Sequence, residues 1–342
     1  MYKNIHKQYM KDMKKKLYYI ISILIITVIC FFIDILVGSN QLEFKEVIHS
    51  LITYSNDVPS FIVWNIRIPM SLMAMIVGGI LAISGAQMQT ILNNPLADPY
   101  TFGISSAASL GASLVITGLI NINYIPQEYQ IPLISFLFSS FTIVLISGIS
   151  IIPSISIKSI LLLGIALMFC FDALVIFIQY IADESQLQSI IFFKMGSLAR
   201  SSWEKIVIIY GASIIILPII MMDVWPLTLL KLDTISLFSM GINPNFLKIK
   251  HLLFVSLLTS LSVSFVGSIG FIGIVAPHIA RLLIGEDKRF FLPLSFFIGA
   301  IITILASIVS KLIIPGLILP ITVITSIIGV PFFVFLIIRQ RS

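Results

Sequence analysis

An all-α membrane protein with about ten spanning helices is the fold class this sequence predicts, and three observations predict it. Apolar residues make up 58% of the 342 and charged residues only 11%, where a soluble protein carries about 25% charged residues. The mean hydropathy is +1.09. The apolar residues gather into runs of the length that crosses a bilayer as a helix, ~20 residues. So few charges cannot cover a water-facing surface. This excludes a soluble enzyme, a disordered chain and a nucleic-acid-binding domain. The net charge of +6 sounds like a nucleic-acid signal only until the positions of the charges are considered.

In chain order, the clear runs are 17–37, 71–92, 131–151, 160–181, 206–222, 251–266, 292–311 and 319–338. Two weaker stretches complete the set. Residues 101–120 are rich in Gly, Ala and Ser, as a tightly packed membrane helix is. Residues 273–284 are too short to span alone and contain Pro277, and such a helix is tolerated only buried in protein or along a cavity. Ten helices, the eighth short, put both termini on one side. The first run is not a removable signal peptide: it is long, lacks a small-residue cleavage site, and further spans follow.

Lys and Arg set the orientation. With the termini inside, fifteen of the 21 basic residues fall on inner segments, led by Lys3, Lys7, Lys11, Lys14, Lys15 and Lys16. Lys45, Arg67, Lys194, Arg200, Lys205 and Lys311 fall outside, among most of the acids. The basic excess is therefore a topology signal, and residues 1–16 read as a cytoplasmic anchor on an anionic leaflet. Residues 17–338 form the membrane domain, and 339–342 a short cytoplasmic end.

Several chemistries are missing. The dipeptide Gly-Lys does not occur, so no phosphate-binding loop of the P-loop type exists and the chain is not itself such an ATPase. No Cys/His cluster has metal-ligand spacing, and Cys30 and Cys170 both lie in apolar runs. No cofactor, metal or catalytic site is expected in this chain. Transport, a channel or a scaffold remains.

Three segments are too polar or too punctuated for their positions. Residues 93–99, Asn-Asn-Pro-Leu-Ala-Asp-Pro, join the second and third helices in a rigid inner turn. Residues 227–250 form the longest inner loop. Leu229, Leu230, Leu232, Ile235, Leu237, Met240 and Ile242 recur there at near-helical spacing, and Gly241 ends the helix. Such a helix lies on headgroups or docks on a partner. In 267–281, three glycines permit a reversal on the outer side and Pro277 bends the short helix that follows.

Together these segments resemble the FecCD-type permeases of ABC importers, which take up ferric siderophores, haem and vitamin B12. The likeness begins at Arg67-Ile68-Pro69 and continues through 77–86, Asn94-Pro95-Leu96-Ala97-Asp98-Pro99 and Gly103-Ile104-Ser105-Ser106. It includes Gly270, Gly273, Pro277, His278 and Arg281, then Leu319-Pro320, Thr325, Gly329, Pro331, Phe332 and Phe333. It covers about 60–338.

The resemblance implies the type II ABC importer permease architecture in the cytoplasmic membrane of a bacterium. It implies a second permease subunit, two ABC ATPase subunits that bind ATP below, and an extracytoplasmic substrate-binding protein above. Residues 231–249 would form a pair of coupling helices on the ATPase, with Lys231, Leu232, Asp233, Ser236, Met240, Gly241 and Ile242 in the contact. Arg67 and Lys311 would pair with acids of the binding protein. Met70 replaces an Arg of the family pattern, and Thr322 a Gly. The cargo implied is an iron complex, a ferric siderophore ahead of haem or vitamin B12.

Asp172 stands near the middle of the fifth span. An intramembrane acid faces protein or water, so it either lines the pathway or makes an interhelical hydrogen bond. It also leaves open a proton-coupled secondary transporter, which would need no ATPase and several intramembrane acids.

Overall fold

A computed structural model describes residues 2–38, 42–150, 157–230, 232, 234–314 and 316–340. Among them there are helices and no strands. The outer connections and the first two spans begin with α1 (Tyr2–Leu36), α2 (Phe44–Ile52), α3 (Val58–Ile62) and α4 (Ile68–Ile91). A π-helical turn, Val63–Arg67, joins α3 to α4. Its cause is local: Pro69 has no N–H for the carbonyl four residues back, and Ile68 instead donates to the Val63 carbonyl.

The chain continues through α5 (Ile104–Ile116), α6 (Gln127–Ser150), α7 (Ile157–Ile181), α8 (Glu184–Lys194), α9 (Trp203–Met222), α10 (Val224–Leu229) and α11 (Thr234–Ser239). It ends with α12 (Pro244–Val266), α13 (Ile272–Ile284), α14 (Lys288–Leu312) and α15 (Ile321–Gln340). Seven helices are long and apolar enough to cross a membrane, and α5, α13 and α15 add three shorter apolar ones. These are the ten spans expected. α1 runs unbroken past residue 17, so the basic stretch and the first span are one helix.

α4 is the centre. Its most apolar stretch is 83% buried, against 22% in α1 and 17% in α7. Burial without bulk is possible because its inward positions are small. Gly78 meets the Gly299 carbonyl and Thr303 of α14, and Gly85 meets the Gly273 carbonyl of α13. Backbones approach this closely only where no Cβ intervenes. α5 solves the same problem with hydroxyls: Ser109, Ser113 and Thr117 each donate to the carbonyl four residues back.

One segment corrects the sequence reading. Residues 182–205 are not a plain outer loop. α8, capped by Asp183 at its start, folds back into the protein. Beyond its end, Ser197 N–H donates to the Val266 carbonyl (2.7 Å) and Ile321 N–H to the Gly196 carbonyl (3.2 Å). The stretch Gly267–Gly270 is likewise not an outer hairpin. It is extended and buried, with the Ser268 carbonyl taken by the Thr322 hydroxyl at 2.5 Å. Irregular backbone is tolerated at membrane depth where it is buried in protein, and these bonds to protein partners meet that condition.

Candidate functional site

The polar residues inside α4 organise the inner half of the molecule. Pro277 lacks the N–H that would bond the Gly273 carbonyl within α13. Gln89 supplies it instead, its Nε2 donating to Gly273 O at 3.1 Å. The Oε1 of the same amide accepts from Arg281 (2.9 Å). Arg281 also pairs with Glu286 (3.1 Å) and lies over the Phe291 ring. One glutamine therefore satisfies both ends of the Gly273–Pro277–His278–Arg281 segment, while His278 stacks edge-on against Phe332. Gly273 is crowded by the Asp98 carboxylate and the Leu81 carbonyl, whereas a side chain at Gly270 would meet open space. Of the glycines in this segment, Gly267 and Gly273 are the sterically required ones. Phe271, at φ 68°, takes the left-handed position at the start of α13.

In the same helix, Gln87 contacts the fully buried His251, Oε1 to Nδ1 2.7 Å. The other ring nitrogen meets Asp223 at 2.9 Å. Asp223 also holds Lys250 at 2.6 Å. Asp223 precedes α10, and Lys250 and His251 lie early in α12, so this cluster clamps the two ends of the 227–250 loop together and onto α4. Sequence reasoning missed Gln87, Gln89 and Asp223. The signal was available: two glutamines in an otherwise apolar run need partners at membrane depth.

Between α10 and α12 the described residues form one short helix, not two. α11 ends in a Schellman motif, with Gly241 at φ 76°, its N–H on Phe238 O and the Ile242 N–H on Leu237 O. Residues 244–249 are the first turns of α12, started by Pro244 and capped by the Asn243 side chain, which accepts from Asn245 and Phe246 N–H. The predicted pair of coupling helices is thus α11 plus the end of a spanning helix. Lys231 and Asp233 lie outside the described residues. Leu232 and Met240 are exposed, Ser236 and Ile242 half-buried. Leu237 points inward at 2% exposure, while Ile235 (82%), Phe238 (54%) and Met240 (56%) stand in the open. Three large apolar side chains thus stand exposed close together on this loop.

The 93–103 connector is built from local bonds. Asn93 takes φ 46°, Asn94 Oδ1 accepts from Leu96 N–H, and Pro99 opens a 3₁₀ turn that ends at Gly103, φ 74°. Pro95 is exposed at the turn's tip, and Ser105 is buried in the first turn of α5. Gly103 lies against the Met168 backbone of α7. Asp98 is buried, its carboxylate beside Gly273 in the first turn of α13, where the helix dipole favours negative charge. Burial pushes the carboxyl up to about 7, against the lowering effect of a backbone hydrogen bond from Tyr100.

The expected docking cations are not available for docking. Arg67 (4% exposed) and Lys311 (3%) are both turned inward. Arg67 donates to the carbonyls of Ile35 and Leu36. Lys311 bonds the Asp34 carbonyl and forms a 2.7 Å ion pair with its carboxylate, which also accepts from Ser71. Both cations cap the carbonyl end of α1, where a helix has orphan acceptors and negative dipole. Asp34 was the overlooked partner, and it is a second intramembrane acid. Asp172 pairs with Lys194 of α8 at 2.8 Å. It makes an interhelical contact that ties α8 to α7.

Comparison with known proteins agrees with this geometry. The sequence profile of the FecCD transport family matches residues 26–339. An iron chelatin transport system permease protein of Helicobacter pylori is 35% identical, over 83% of this chain and 84% of that one. The hemin transport system permease HmuU of Yersinia pestis is 33% identical, over 89% and 90%. An inward-facing metal-chelate type ABC transporter structure superposes with a TM-score of 0.82 at 29% identity, covering 94% of this chain and 98% of that one. The profile spans nearly the whole chain, and the polar network, the broken eighth span and the glycine seams all fall within it: this chain belongs to the FecCD transport family.

Proposed function

We propose that this chain is the translocating subunit of an importer for an iron chelate, driven by ATP hydrolysis on separate ABC ATPase subunits. The observation that carries the proposal is the exposed apolar group Ile235, Phe238 and Met240 on a loop whose ends are clamped to the buried helix α4 by Asp223, Lys250, His251 and Gln87. Such a loop passes a push from a cytoplasmic partner to the core instead of absorbing it. The cargo reading, a ferric siderophore, rests on the iron chelatin and hemin relatives. The plasma membrane of a bacterium is the proposed location.

A second permease subunit and an extracytoplasmic binding protein complete the proposal. The exposed apolar residues of α7 and α15, among them Phe169, Phe177, Ile327 and Ile328, are the surface offered to the second subunit. Docking of the binding protein uses neither Arg67 nor Lys311. A proton relay is disfavoured because Asp34 and Asp172, the acids inside spans, are each held by a lysine.

Gly241→Val tests the coupling role. A β-branched residue at φ 76° costs about 1–2 kcal/mol locally, with no neighbour to clash. Insertion should be intact, while ATPase co-purification and uptake in proteoliposomes fall. Full retention of both sinks the coupling assignment. Fluorescence quenching of the binding protein by ferric siderophore, haem and cobalamin decides the cargo.

A further inference from the structure

The first thirty-three residues contain six lysines and one acid, Asp12. α1 carries all of them on one continuous helix, so a rotation of about 100° per residue fixes which side chains share a face. The face toward the body is marked by Lys16, which meets Asp287 at 3.5 Å and lies over the Phe290 ring. It is marked again by Cys30 and Asp34, both buried. The opposite face is exposed where the helix is apolar: Ile25 at 51%, Ile29 at 52% and Phe32 at 52%. Followed toward the amino terminus, that same face carries Tyr18 (71% exposed), then Lys14, Lys11 and Lys7. Lys15 flanks it, and Asp12 falls on the body side.

We propose that this seam is a binding site for an anionic phospholipid of the inner leaflet. The lysines would hold the phosphate, Tyr18 would sit at the headgroup boundary, and the acyl chains would lie along Ile25 and Ile29. Orientation in the membrane depends on how many basic residues lie inside and is indifferent to the helix face they occupy. The alignment of Lys7, Lys11 and Lys14 with the lipid-facing isoleucines is what a headgroup site requires. α10, which leads into the α11 loop, lies on the other side, reached through Arg289, which bonds the Tyr9 hydroxyl and covers the Trp225 ring. The seam therefore points away from where an ATPase subunit docks.

The test is native mass spectrometry of the full permease titrated with phosphatidylglycerol and phosphatidylcholine. The wild-type chain should retain phosphatidylglycerol with about a tenfold preference that salt suppresses. Two variants follow. One neutralises the seam (Lys7→Gln, Lys11→Gln, Lys14→Gln and Lys15→Gln). The other keeps the charge but takes Lys11 and Lys14 off the face (Gln8→Lys, Lys11→Gln, Met13→Lys and Lys14→Met). Both should lose the preference, while cysteine accessibility shows unchanged topology. A scrambled variant that still prefers phosphatidylglycerol overturns the proposal, since charge number alone would then suffice. So does a wild-type chain with no headgroup preference, or a photo-crosslinker at Lys11 that captures the ATPase subunit in place of lipid. Should either variant fail to insert, the photo-crosslinker at Lys11 in the wild-type chain decides: capture of phosphatidylglycerol supports the seam, and capture of the ATPase subunit or of no lipid overturns it.

Discussion

Asp34→Asn removes one charge from a buried group of three, and the consequence can be worked from the structure. Asp34, Arg67 and Lys311 sum to one positive charge, and the orphan carbonyls at the end of α1 answer the excess. At 2.7 Å the Asp34–Lys311 attraction is roughly 6 kcal/mol gross at an effective dielectric of about 20. Most of that offsets the cost of burying both ions. Taking away one partner leaves an uncompensated buried charge, which costs about 3–5 kcal/mol. Asp34→Asn leaves two cations facing each other. Lys311→Met leaves Asp34 with Arg67 and the Ser71 hydroxyl, so it should cost less, about 1.5–3 kcal/mol. The double variant restores a single buried positive charge and should be more stable than Asp34→Asn alone. Unfolding in mixed detergent and dodecyl sulfate micelles, followed by tryptophan fluorescence, measures all three. An outward docking role would instead give changes of about 0.2–1 kcal/mol, as exposed ion pairs do. A double variant no better than Asp34→Asn refutes the charge argument.

Other expectations follow from the packing and the connector. Gly85→Ala sets a methyl against the Gly273 carbonyl and should cost about 1–3 kcal/mol by overpacking and lower uptake, while Gly270→Ala, with open space around it, should leave uptake in proteoliposomes unchanged. Gln89→Leu orphans the Gly273 carbonyl and one Arg281 bond, a loss of about 1–3 kcal/mol that a thermal-stability series would show. Asp98 binds its proton more tightly folded (about 7) than unfolded (3.8). Its contribution to stability is full below about pH 4, falls as pH rises and is gone above about 7. Asp98→Asn should flatten that slope, and an unchanged slope would mean that Asp98 is solvated.

Much of the fold was legible because the bilayer writes it in length and composition. Ten apolar runs gave ten helices, and Gly241 ended α11 as its position in the loop foretold. What was not legible depends on partners distant in sequence. Nothing near residue 311 indicates that its lysine faces inward. The reason is Asp34, 277 residues away, hidden in the first apolar run. The coupling pair became one helix because Asn243 and Pro244 start a span, a local signal whose consequence depends on where the membrane begins. α8 read as a loop because it is polar enough for one. Its return into the protein is fixed by backbone bonds to Val266 and Ile321, which have no pattern in sequence.

The same contrast explains why α4 serves as the rigid element. Its glycines allow contact with α13 and α14 that bulkier residues would forbid, and such contact leaves little room for independent motion. The two glutamines of α4 lie in its last third, where Gln87 reaches the loop clamp and Gln89 reaches the broken helix α13. Two residues apart on one helix, these amides face different neighbours, so a displacement of α4 moves the loop and α13 together. A chain that only filled the membrane would have no reason to place two glutamines, a histidine and the side chains of Asp223, Lys250, Arg281 and Glu286 there, each at a desolvation cost. A chain that must transmit a push from α11 does, because hydrogen bonds of fixed direction carry position where apolar contacts would slide.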